Sequence, residues 1–285
     1  MSYNLWKLFG LQRSGNHPII NWLMGLDQEN TLFFNRRKPG VDLFDDPSGV
    51  SMPEGHKSYA IRVDGKKQLN EDLVDEFKRR STRRNLLVSF ENYDLRKFDE
   101  DLLDKPIVEH FGTPQSRTNF IVLRNPFNML ASKEKMLRAG MKKRRRKKMS
   151  LLQRIRTRDD DFIERSLNGR LSLWSGYAFL ALYPNSATRG SFVPIVFDRW
   201  AEDRAYRDQI VESIGYRNRD AHLDFVSDAG KGSSFEGTEM KNTRNTLSRW
   251  DQGNKEICRR VIRRHPEVVD YASLIFGSEA IPKDI

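Results

Sequence analysis

The chain has 285 residues, enough to bury a sizeable core within one large domain. Its single cysteine, Cys258, excludes an internal disulfide, and no apolar stretch is long enough to span a bilayer. The net charge of +11 favours anionic partners, and the N-terminus lacks the apolar core of a signal peptide, so we expect a cytoplasmic protein.

The first predicted element is a buried strand over residues 4–10 that leads directly into a short polar loop. A helix is predicted over residues 18–25, with Pro18 in its first turn, where a missing N–H costs nothing. Such a loop directs backbone N–H groups and the positive end of the helix dipole at one point. We therefore predict that Ser14 and Gly15 border a phosphate or sulfate site.

Gly10 and Gly15 have the spacing of an NTP-binding P-loop, but the residues after the second glycine differ. A P-loop needs a lysine for the terminal phosphates and a Ser or Thr hydroxyl for magnesium. Here these positions hold Asn16 and His17, and the cation in the loop is Arg13. The pattern disfavours an NTPase and favours a phosphate held without metal, with an ordinary strand-to-helix turn as the alternative.

Strands and helices alternate along the rest of the chain. Strands are predicted over residues 31–35, 58–63, 85–90, 119–123 and 192–197, and helices over residues 68–80, 126–139, 160–183 and 200–214. This order predicts an α/β fold, as a single domain over residues 1–285 with a central, mostly parallel sheet flanked by helices. Residues 139–159 are predicted to be an exposed basic insertion and residues 218–245 a mobile lid.

A second strand-turn-helix lies at the end of the strand over residues 119–123. Arg124 closes this strand, Asn125 can cap the next helix, and Pro126 suits the first helical turn. Open α/β sheets bind ligands at the carboxyl ends of their strands, and the planar guanidinium group suits phosphate. Two such turns suggest a ligand with phosphates at both ends, gripped from opposite ends of the sheet.

Four segments resemble motifs of one enzyme family, in the order in which that family has them. They are Gln12-Arg13-Ser14-Gly15-Asn16-His17, Arg124-Asn125-Pro126 with Ser132, Val193-Pro194-Ile195-Val196-Phe197-Asp198, and Gly230-Lys231-Gly232-Ser233-Ser234-Phe235 with Trp250. The family is that of the PAPS-dependent sulfotransferases. Its 5′-phosphosulfate loop usually reads Pro-Lys/Arg-Ser-Gly-Thr-Thr, and its 3′-phosphate motif is Arg-x-Pro with a serine eight residues after the arginine. The resemblance covers most of the chain and implies a P-loop-like, sulfotransferase-type fold.

The resemblance implies that PAPS is the co-substrate and PAP the product, with no metal. Arg13 would contact the 5′-phosphosulfate and stabilise charge on the leaving phosphate. The residues after it would hold that phosphate largely through backbone N–H groups; they are Ser14, Gly15, Asn16 and His17. The family's Thr-Thr pair is replaced by the last two of these residues, so the contribution of its hydroxyl groups is lost.

The same resemblance assigns the far end of the nucleotide. Arg124 and Ser132 would bind the 3′-phosphate, and Lys231 and Gly232 would cover the nucleotide as part of a closing loop. Pro18 stands where many family members have a tryptophan that stacks near adenine, so the adenine contact is left without an assigned residue.

Sulfuryl transfer requires the acceptor to lose a proton, so a general base near the loop is expected. Family members place it, often as His or Glu, at the end of the strand before the arginine-bearing strand. Glu91 follows the apolar run over residues 85–90 and is the first choice, because partial desolvation can raise the pKa of a glutamate towards neutrality. The alternative interpretation is that Glu91 is simply a solvated residue at the end of a strand. His17 is the second choice and His56 the third.

The acceptor is expected to be a small molecule with a hydroxyl group, including a phenol, or an amine. Seven consecutive basic residues, 142–148, would make an acidic glycan a further candidate if they lined the acceptor groove. This run contains no aromatic residue, which disfavours nucleic acid as a partner, and a mobile loop or frayed helix end is its plainer interpretation. The alternative functions are a nucleotide kinase with a degenerate loop and a basic nucleic-acid-binding protein.

Three other patterns favour structural roles. The acidic residues 159–161 can be interpreted as metal ligands, but capping and charge balance at a helix start fit them better. Trp174 and Tyr177 share a predicted helix face and are expected to pack in the core rather than line an acceptor pocket. The remaining histidines are expected to be surface or satisfied core residues; they are His110, His222 and His265.

Overall fold

The computed structural model describes residues 2–64, 66–80, 83–147, 159–184, 192–220, 223 and 248–285, except for the side chains of residues 143–147 and 248. These ranges contain eight strands. In chain order they are β1 Asn4–Gly10, β2 Thr31–Phe34, β3 Lys57–Ser58, β4 Ala60–Val63, β5 Lys66–Leu69, β6 Asn85–Glu91, β7 Ser116–Leu123 and β8 Phe192–Val196.

Six of these strands form one sheet in the order β3-β2-β6-β1-β7-β8, and every pairing within it is parallel. β4 and β5 form a separate antiparallel hairpin. Parallel neighbours cannot be joined by tight turns, so the chain crosses over between them, mostly through helices. The prediction of an α/β fold with a mostly parallel central sheet flanked by helices is confirmed.

The helices of the described ranges lie on both faces of the sheet. In chain order they are α1 Asn16–Leu26, α2 Glu71–Arg79, α3 Glu100–Phe111, α4 Pro126–Lys147, α5 Asp159–Leu182, α6 Phe197–Glu202, α7 Arg204–Ser213, α8 Ser248–Gln252, α9 Lys255–Ile262 and α10 Pro266–Phe276. Side chains of α1, α6 and α7 form the core on one face of the sheet. Side chains of α2 to α5, together with α9 and α10, form the core on the other face.

β1 is central, and its residues alternate between these two cores, as the period of a strand requires. Leu5 and Phe9 pack into one core, and Trp6 and Leu8 pack into the other. All seven residues of β1 are buried, so the strand is a rigid support for the loop that follows it.

The carboxyl ends of three neighbouring strands meet beside that loop. β6 and β7 flank β1, and Gly10 is in register with Glu91 on one side and Val122 on the other. The segments that follow these strands therefore begin side by side at one edge of the sheet. This is the edge at which open α/β sheets bind their ligands.

Several predicted elements have bounds that differ from the observed ones. The strand predicted over residues 58–63 is divided, because its first residue belongs to β3 and its last four to β4. The helix predicted over residues 68–80 begins only after β5 ends. The helix predicted over residues 200–214 is interrupted at Asp203, whose side chain accepts a hydrogen bond from the Tyr206 N–H and so caps α7.

Other differences concern elements that the sequence did not indicate. α3 contains Pro106 in its interior, which weakens a helix signal, and α9 and α10 were also not predicted. The helix predicted over residues 126–139 continues to Lys147, so the first part of the predicted insertion over residues 139–159 is helical. Most of the rest of that insertion, and most of the predicted lid over residues 218–245, lies outside the described residues. Within the described ranges, no helix combines the length and apolar character needed to cross a lipid bilayer.

Candidate functional site

The loop between β1 and α1 has a conformation that requires a glycine at its last position, Gly15. Arg13 and Gly15 both have left-handed backbone angles, with φ values of 79° and 86°, and the Ser14 N–H donates to the Leu11 carbonyl at 3.0 Å. A Cβ atom on Gly15 would lie 2.2 Å from the Phe197 ring. Only glycine adopts this φ angle without strain, and the Phe197 ring leaves no space for a side chain at this position. The left-handed arginine is the kind of backbone strain that clusters at functional sites.

Gly10, the first glycine of the motif, is needed because the Asn16 side chain packs directly against it. A Cβ atom on Gly10 would lie 1.9 Å from Oδ1 of Asn16. The Asn16 side-chain amide donates back to the Leu11 carbonyl at 3.3 Å and so closes the loop. α1 begins at Asn16 with no side-chain cap, which leaves the N–H groups of its first turn directed at the mouth of the loop.

Basic side chains from three elements interact electrostatically with the carboxylate of Glu91 beside this loop. Arg13 comes from the loop itself, Lys133 from α4 and Arg170 from α5, and the charge of Glu91 acts on all three. Lys133 is 7% exposed and Arg170 is 9% exposed. Glu91 also forms an ion pair with Arg36, at 2.9 Å between Oε2 and Nη2. Four cations therefore share one carboxylate, and positive charge is in excess.

The excess charge is visible in the pKa values of the basic groups. Burial, together with the charges of Arg170 and Arg13 and against the opposing effect of Glu91, lowers the pKa of the Lys133 ammonium to about 8. Burial also lowers the pKa of the Arg13 and Arg170 guanidinium groups. An anion bound among these groups would stabilise their protonated forms. The arrangement is therefore suited to an anion.

Hydrogen bonds hold the loop in place against this cluster. Lys133 Nζ donates to Gln12 Oε1 at 2.7 Å, and the Gln12 N–H donates to Asn92 Oδ1 at 2.8 Å. The same oxygen accepts from Arg170, and the Asn92 N–H donates to the Gly10 carbonyl at 3.0 Å. The basic groups are thus connected to the loop backbone by short polar contacts, so their positions are set before any ligand arrives.

The second turn contacts the first through Arg124, which is 6% exposed. Arg124 Nη1 donates to the Arg13 carbonyl at 3.3 Å, and its guanidinium group lies 4.9 Å from the centre of the Phe197 ring. The Trp174 indole N–H donates to the Arg124 carbonyl at 3.0 Å. The Phe197 ring is close to Gly15 as well, so one aromatic side chain packs against both turns.

Asn125 caps α4 as predicted, because its Oδ1 accepts hydrogen bonds from two backbone N–H groups of the first helical turn. Its own N–H donates to Asp198 Oδ2 at 3.2 Å. Burial raises the pKa of Asp198, while the charges of Arg124 and Arg249 lower it. The charge of Arg249 also lowers the pKa of Arg13, so α8 contributes a further cation to the edge of the site.

The expectation that the two turns grip a ligand from opposite ends of the sheet is wrong. They follow β1 and β7, which are adjacent parallel strands in the middle of the sheet. Arg124 consequently touches the backbone of the first turn instead of standing apart from it. A ligand that engages both turns needs to span only neighbouring loops.

Glu91 and His17, the first two candidates for the base, are linked by a shared neighbour. Arg36 forms the ion pair with Glu91. Burial and the charge of Arg36 lower the pKa of His17 to about 4, so its imidazole is neutral at pH 7. The third candidate, His56, lies in the turn before β3, where its N–H donates to the Pro53 carbonyl at 3.2 Å.

The two serines of the predicted site are buried. The Ser14 side chain is fully buried, its hydroxyl contacts Met129 Sδ at 3.8 Å, and its backbone N–H donates to the Leu11 carbonyl, so Ser14 shapes the loop from within. Ser132 is 1% exposed and lies on α4 directly before Lys133. The two residues of the predicted closing loop lie outside the described residues; they are Lys231 and Gly232.

The predicted structural roles are confirmed where they can be observed. Residues 159–161 form the first turn of α5, and Asp160 pairs with Arg138 of the preceding helix at 3.0 Å. Trp174 and Tyr177 are fully buried in the core.

Two of the remaining histidines have structural partners. His110 contacts Asp42 at 2.8 Å and His265 contacts Asn168 at 3.0 Å, whereas His222 lies outside the described residues. No group of three or more His, Cys, Asp or Glu side chains in the described part of the chain has an arrangement that could hold a metal ion.

Lys133 and Arg170 are central to the site, but the sequence analysis missed them. Arg170 stands on a helix face that is otherwise apolar, beside Leu167, Leu171 and Trp174. A long basic side chain on the buried stripe of an amphipathic helix is the signal that could have identified it. Lys133 gives a weaker signal of the same kind.

In comparisons with known proteins, no family model, no curated protein and no solved structure matches this chain.

Proposed function

We propose that this protein transfers a sulfuryl group from PAPS to a hydroxyl group of a small molecule and releases PAP. The observation that carries the proposal is the buried excess of positive charge at the glycine loop, where Arg13, Lys133 and Arg170 all interact with the carboxylate of Glu91. Desolvated cations beside a helix N-terminus favour a phosphate or sulfate. The resemblance of the two turns to the sulfotransferase motifs suggests which anion it is.

The second turn supports a ligand with two anionic groups. Arg124 and Arg249 act on the same carboxylate, Asp198, directly beside the first turn. This places a second cationic surface one strand away from the first. A nucleotide with a 5′-phosphosulfate and a 3′-phosphate has its charges on two such groups, whereas AMP offers only one.

The residues of the loop also distinguish this proposal from a nucleotide kinase. At the position of the P-loop lysine, Asn16 turns its amide back to the Leu11 carbonyl. At the position of the magnesium-binding hydroxyl, His17 presents an imidazole. The cations instead reach the loop from α4 and α5, and these residues fit a phosphosulfate that needs no metal.

PAPS, when bound, supplies an activated sulfuryl group whose departure leaves negative charge on the 5′-phosphate. Arg13 and Lys133 are the groups that would stabilise this charge. The contact of Lys133 with Gln12 holds the ammonium group in place beforehand, and the hydrogen bond from Arg124 fixes the backbone of Arg13. Such preorganised cations in a site shielded from water are an effective form of transition-state stabilisation. For the acceptor's proton we favour His17, because its imidazole is neutral at pH 7 and the negative charge of bound PAPS would raise its pKa from about 4 towards the range of an effective base. Glu91 is instead engaged with Arg36.

Calorimetric titration of the full chain with PAP, AMP, and ATP with Mg²⁺ tests the proposal. PAP should bind at least about tenfold more tightly than AMP, because a charge-assisted contact to the 3′-phosphate contributes roughly 1.5–3 kcal/mol. Incubation with PAPS and a mixture of phenols should then yield PAP and a sulfated product, both detected by mass spectrometry. Equal affinities for PAP and AMP, or turnover of ATP with Mg²⁺, would reject the proposal in favour of the kinase.

A further inference from the structure

A cleft of about 330 Å³ opens beside the glycine loop. Its wall includes His17 from α1, Arg36 from the segment after β2, and Arg62 and Lys67 from the hairpin formed by β4 and β5. The volume is at the lower end of the range for sites that bind small molecules. The cleft is therefore large enough for a compact ligand of about one ring.

The charge of this cleft is positive. Arg36, Arg62 and Lys67 line it together with one acidic residue, Asp46, which lies 3.2 Å from Lys67. Even if Glu91, the partner of Arg36, is counted, the cations remain in excess. A small ligand that carries a negative charge complements this surface, whereas a neutral or cationic ligand does not.

The hairpin has two like charges opposite each other beside the cleft. Arg62 and Lys67 are directly opposite each other in the antiparallel register, and both are exposed. Like charges in this position destabilise a pair of strands. An anionic group bound between the two side chains would convert this repulsion into two attractive contacts.

The cleft is also connected to the proposed reaction centre. His17 lines the cleft and lies in the first turn of α1, which starts at the loop. Arg36 lines the cleft and holds Glu91 at the end of β6. A molecule in the cleft can therefore reach the loop with one end and the hairpin with the other.

We propose that this cleft binds the acceptor, and that the acceptor is a small hydroxyl compound with an anionic group such as a carboxylate. Arg62 and Lys67 bind the anionic group, and the hydroxyl is directed at His17. The identification of the ligand as an acceptor rests on the proposed function. The preference of the cleft for an anion does not, since it follows from the charges that line it.

Two compounds that share a phenol but differ in charge test this inference. Calorimetry on the full chain, with and without saturating PAP, compares 4-hydroxyphenylacetate with its neutral amide, 4-hydroxyphenylacetamide. The acid should bind about tenfold more tightly or better, as expected for one retained charge-assisted contact. Equal affinities for the two compounds, or no measurable binding of the acid, would overturn the inference.

Variants of the hairpin locate the binding site. Arg62→Gln and Lys67→Gln should each weaken binding of the acid about tenfold and leave binding of the amide unchanged. Lys66→Gln is the matched control, because Lys66 is equally exposed on the same strand but does not line the cleft. Loss of affinity in the control alone, or in none of the three variants, would contradict the assignment. Both hairpin positions are exposed, so these variants should fold normally.

The result with PAP separates this inference from the proposed function. If the protein binds the acid selectively but binds neither PAP nor PAPS, the anion-binding cleft stands and the sulfuryl transfer is rejected. If PAP binds and the acid does not, the acceptor class is rejected while the proposed function stands. If both PAP and the acid bind, the acid should also be sulfated with a higher kcat/KM than the amide.

Discussion

Two clusters of buried charge adjoin β1, and they are organised in opposite ways. At the middle of the strand, the fully buried Lys7 contacts Asp104 at 2.6 Å and Glu100 at 2.9 Å, and Arg117 contacts Asp104 at 2.7 Å. Two cations and two carboxylates are thus matched. At the end of the strand, Arg13, Lys133 and Arg170 outnumber Glu91, the carboxylate whose charge acts on all three.

The pKa directions show what this difference means. The hydrogen bond that Arg117 Nε donates to Asp104 raises the pKa of Arg117, so the charged form is favoured in the folded protein. At the loop, burial and like charges lower the pKa of Lys133 and Arg13. The first cluster is complete within the fold, whereas the second would be stabilised by an anion from outside. A buried cluster whose charges lack enough opposite partners is therefore a better indicator of a functional site than a balanced cluster.

The largest expected effect is on the balanced cluster. Asp104→Ala leaves Lys7 buried with one partner fewer, and breaking a buried ion pair in this way should lower the free energy of unfolding by about 3–5 kcal/mol. Urea denaturation followed by circular dichroism measures the change. Glu109→Ala, at an exposed position of the same helix, is the control and should stay within about 0.5 kcal/mol. A loss below about 1 kcal/mol for the Asp104 variant would show that the cluster is not a structural network.

Lys133→Met should have the opposite profile, with a loss of binding and no loss of stability. Removing one of several crowded cations should leave the unfolding midpoint unchanged or raised, because methionine fills a similar volume without a desolvated charge. The affinity for PAP should fall by roughly tenfold to a hundredfold, the value of a charge-assisted contact of about 1.5–3 kcal/mol. Lys135→Met, exposed on the same helix, should change neither quantity. Unchanged PAP affinity in the Lys133 variant would remove this lysine from the site.

Glu91→Gln sharpens the comparison, because it removes the carboxylate that partly compensates the open cluster. With less negative charge in the site, PAP should bind several-fold more tightly, and the protein without ligand should unfold at a lower temperature. Calorimetry and thermal unfolding measure the two changes. If kcat for sulfuryl transfer falls instead while PAP affinity is constant, Glu91 acts as the base and the assignment to His17 is wrong.

The smallest expected effect is a dependence of stability on pH. The pKa of Lys133 is about 8 in the folded protein, below its ordinary value of 10.5, so the unfolded chain binds more protons between these values. The contribution of Lys133 to stability should therefore increase as the pH rises through this window. PAP affinity should decline above pH 8, since the ammonium loses its charge. In the Lys133→Met variant, both stability and PAP affinity should depend less on pH between pH 8 and 10.5. If the variant and the unmodified protein have the same pH profiles, the pKa assigned to Lys133 is wrong.

The local chemistry of the two turns could be predicted because it depends on neighbours in the chain. The strand over residues 4–10, the need for Gly15 and the capping by Asn125 follow from backbone geometry within a few residues. The placement of Glu91 at the carboxyl end of a strand follows from the end of an apolar run. Such features are set by dihedral angles and by side-chain periodicity, which a sequence displays directly.

The partners of the loop could not be predicted in this way. Lys133 and Arg170 approach Glu91 from helices that are far away in the chain, and only the packing of α4 and α5 on the sheet brings them there. The hairpin with Arg62 and Lys67 was not predicted as a unit: its first strand fell within a predicted strand, residues 66–67 were assigned to no element, and residues 68–69 were assigned to a helix. Four-residue strands of polar composition have little apolar periodicity.

The sequence by itself determined the fold class, the first glycine turn and the arginine-bearing second turn, since these arise from local backbone preferences and from the alternation of apolar residues. The tertiary structure decided that the two turns are neighbours, that cations from α4 and α5 converge on Glu91, and that a cationic cleft adjoins His17. The physical reason is that excess charge is a sum over groups in space. That sum depends on strand order and helix packing, and both are fixed by long-range burial of apolar surface, not by any segment alone.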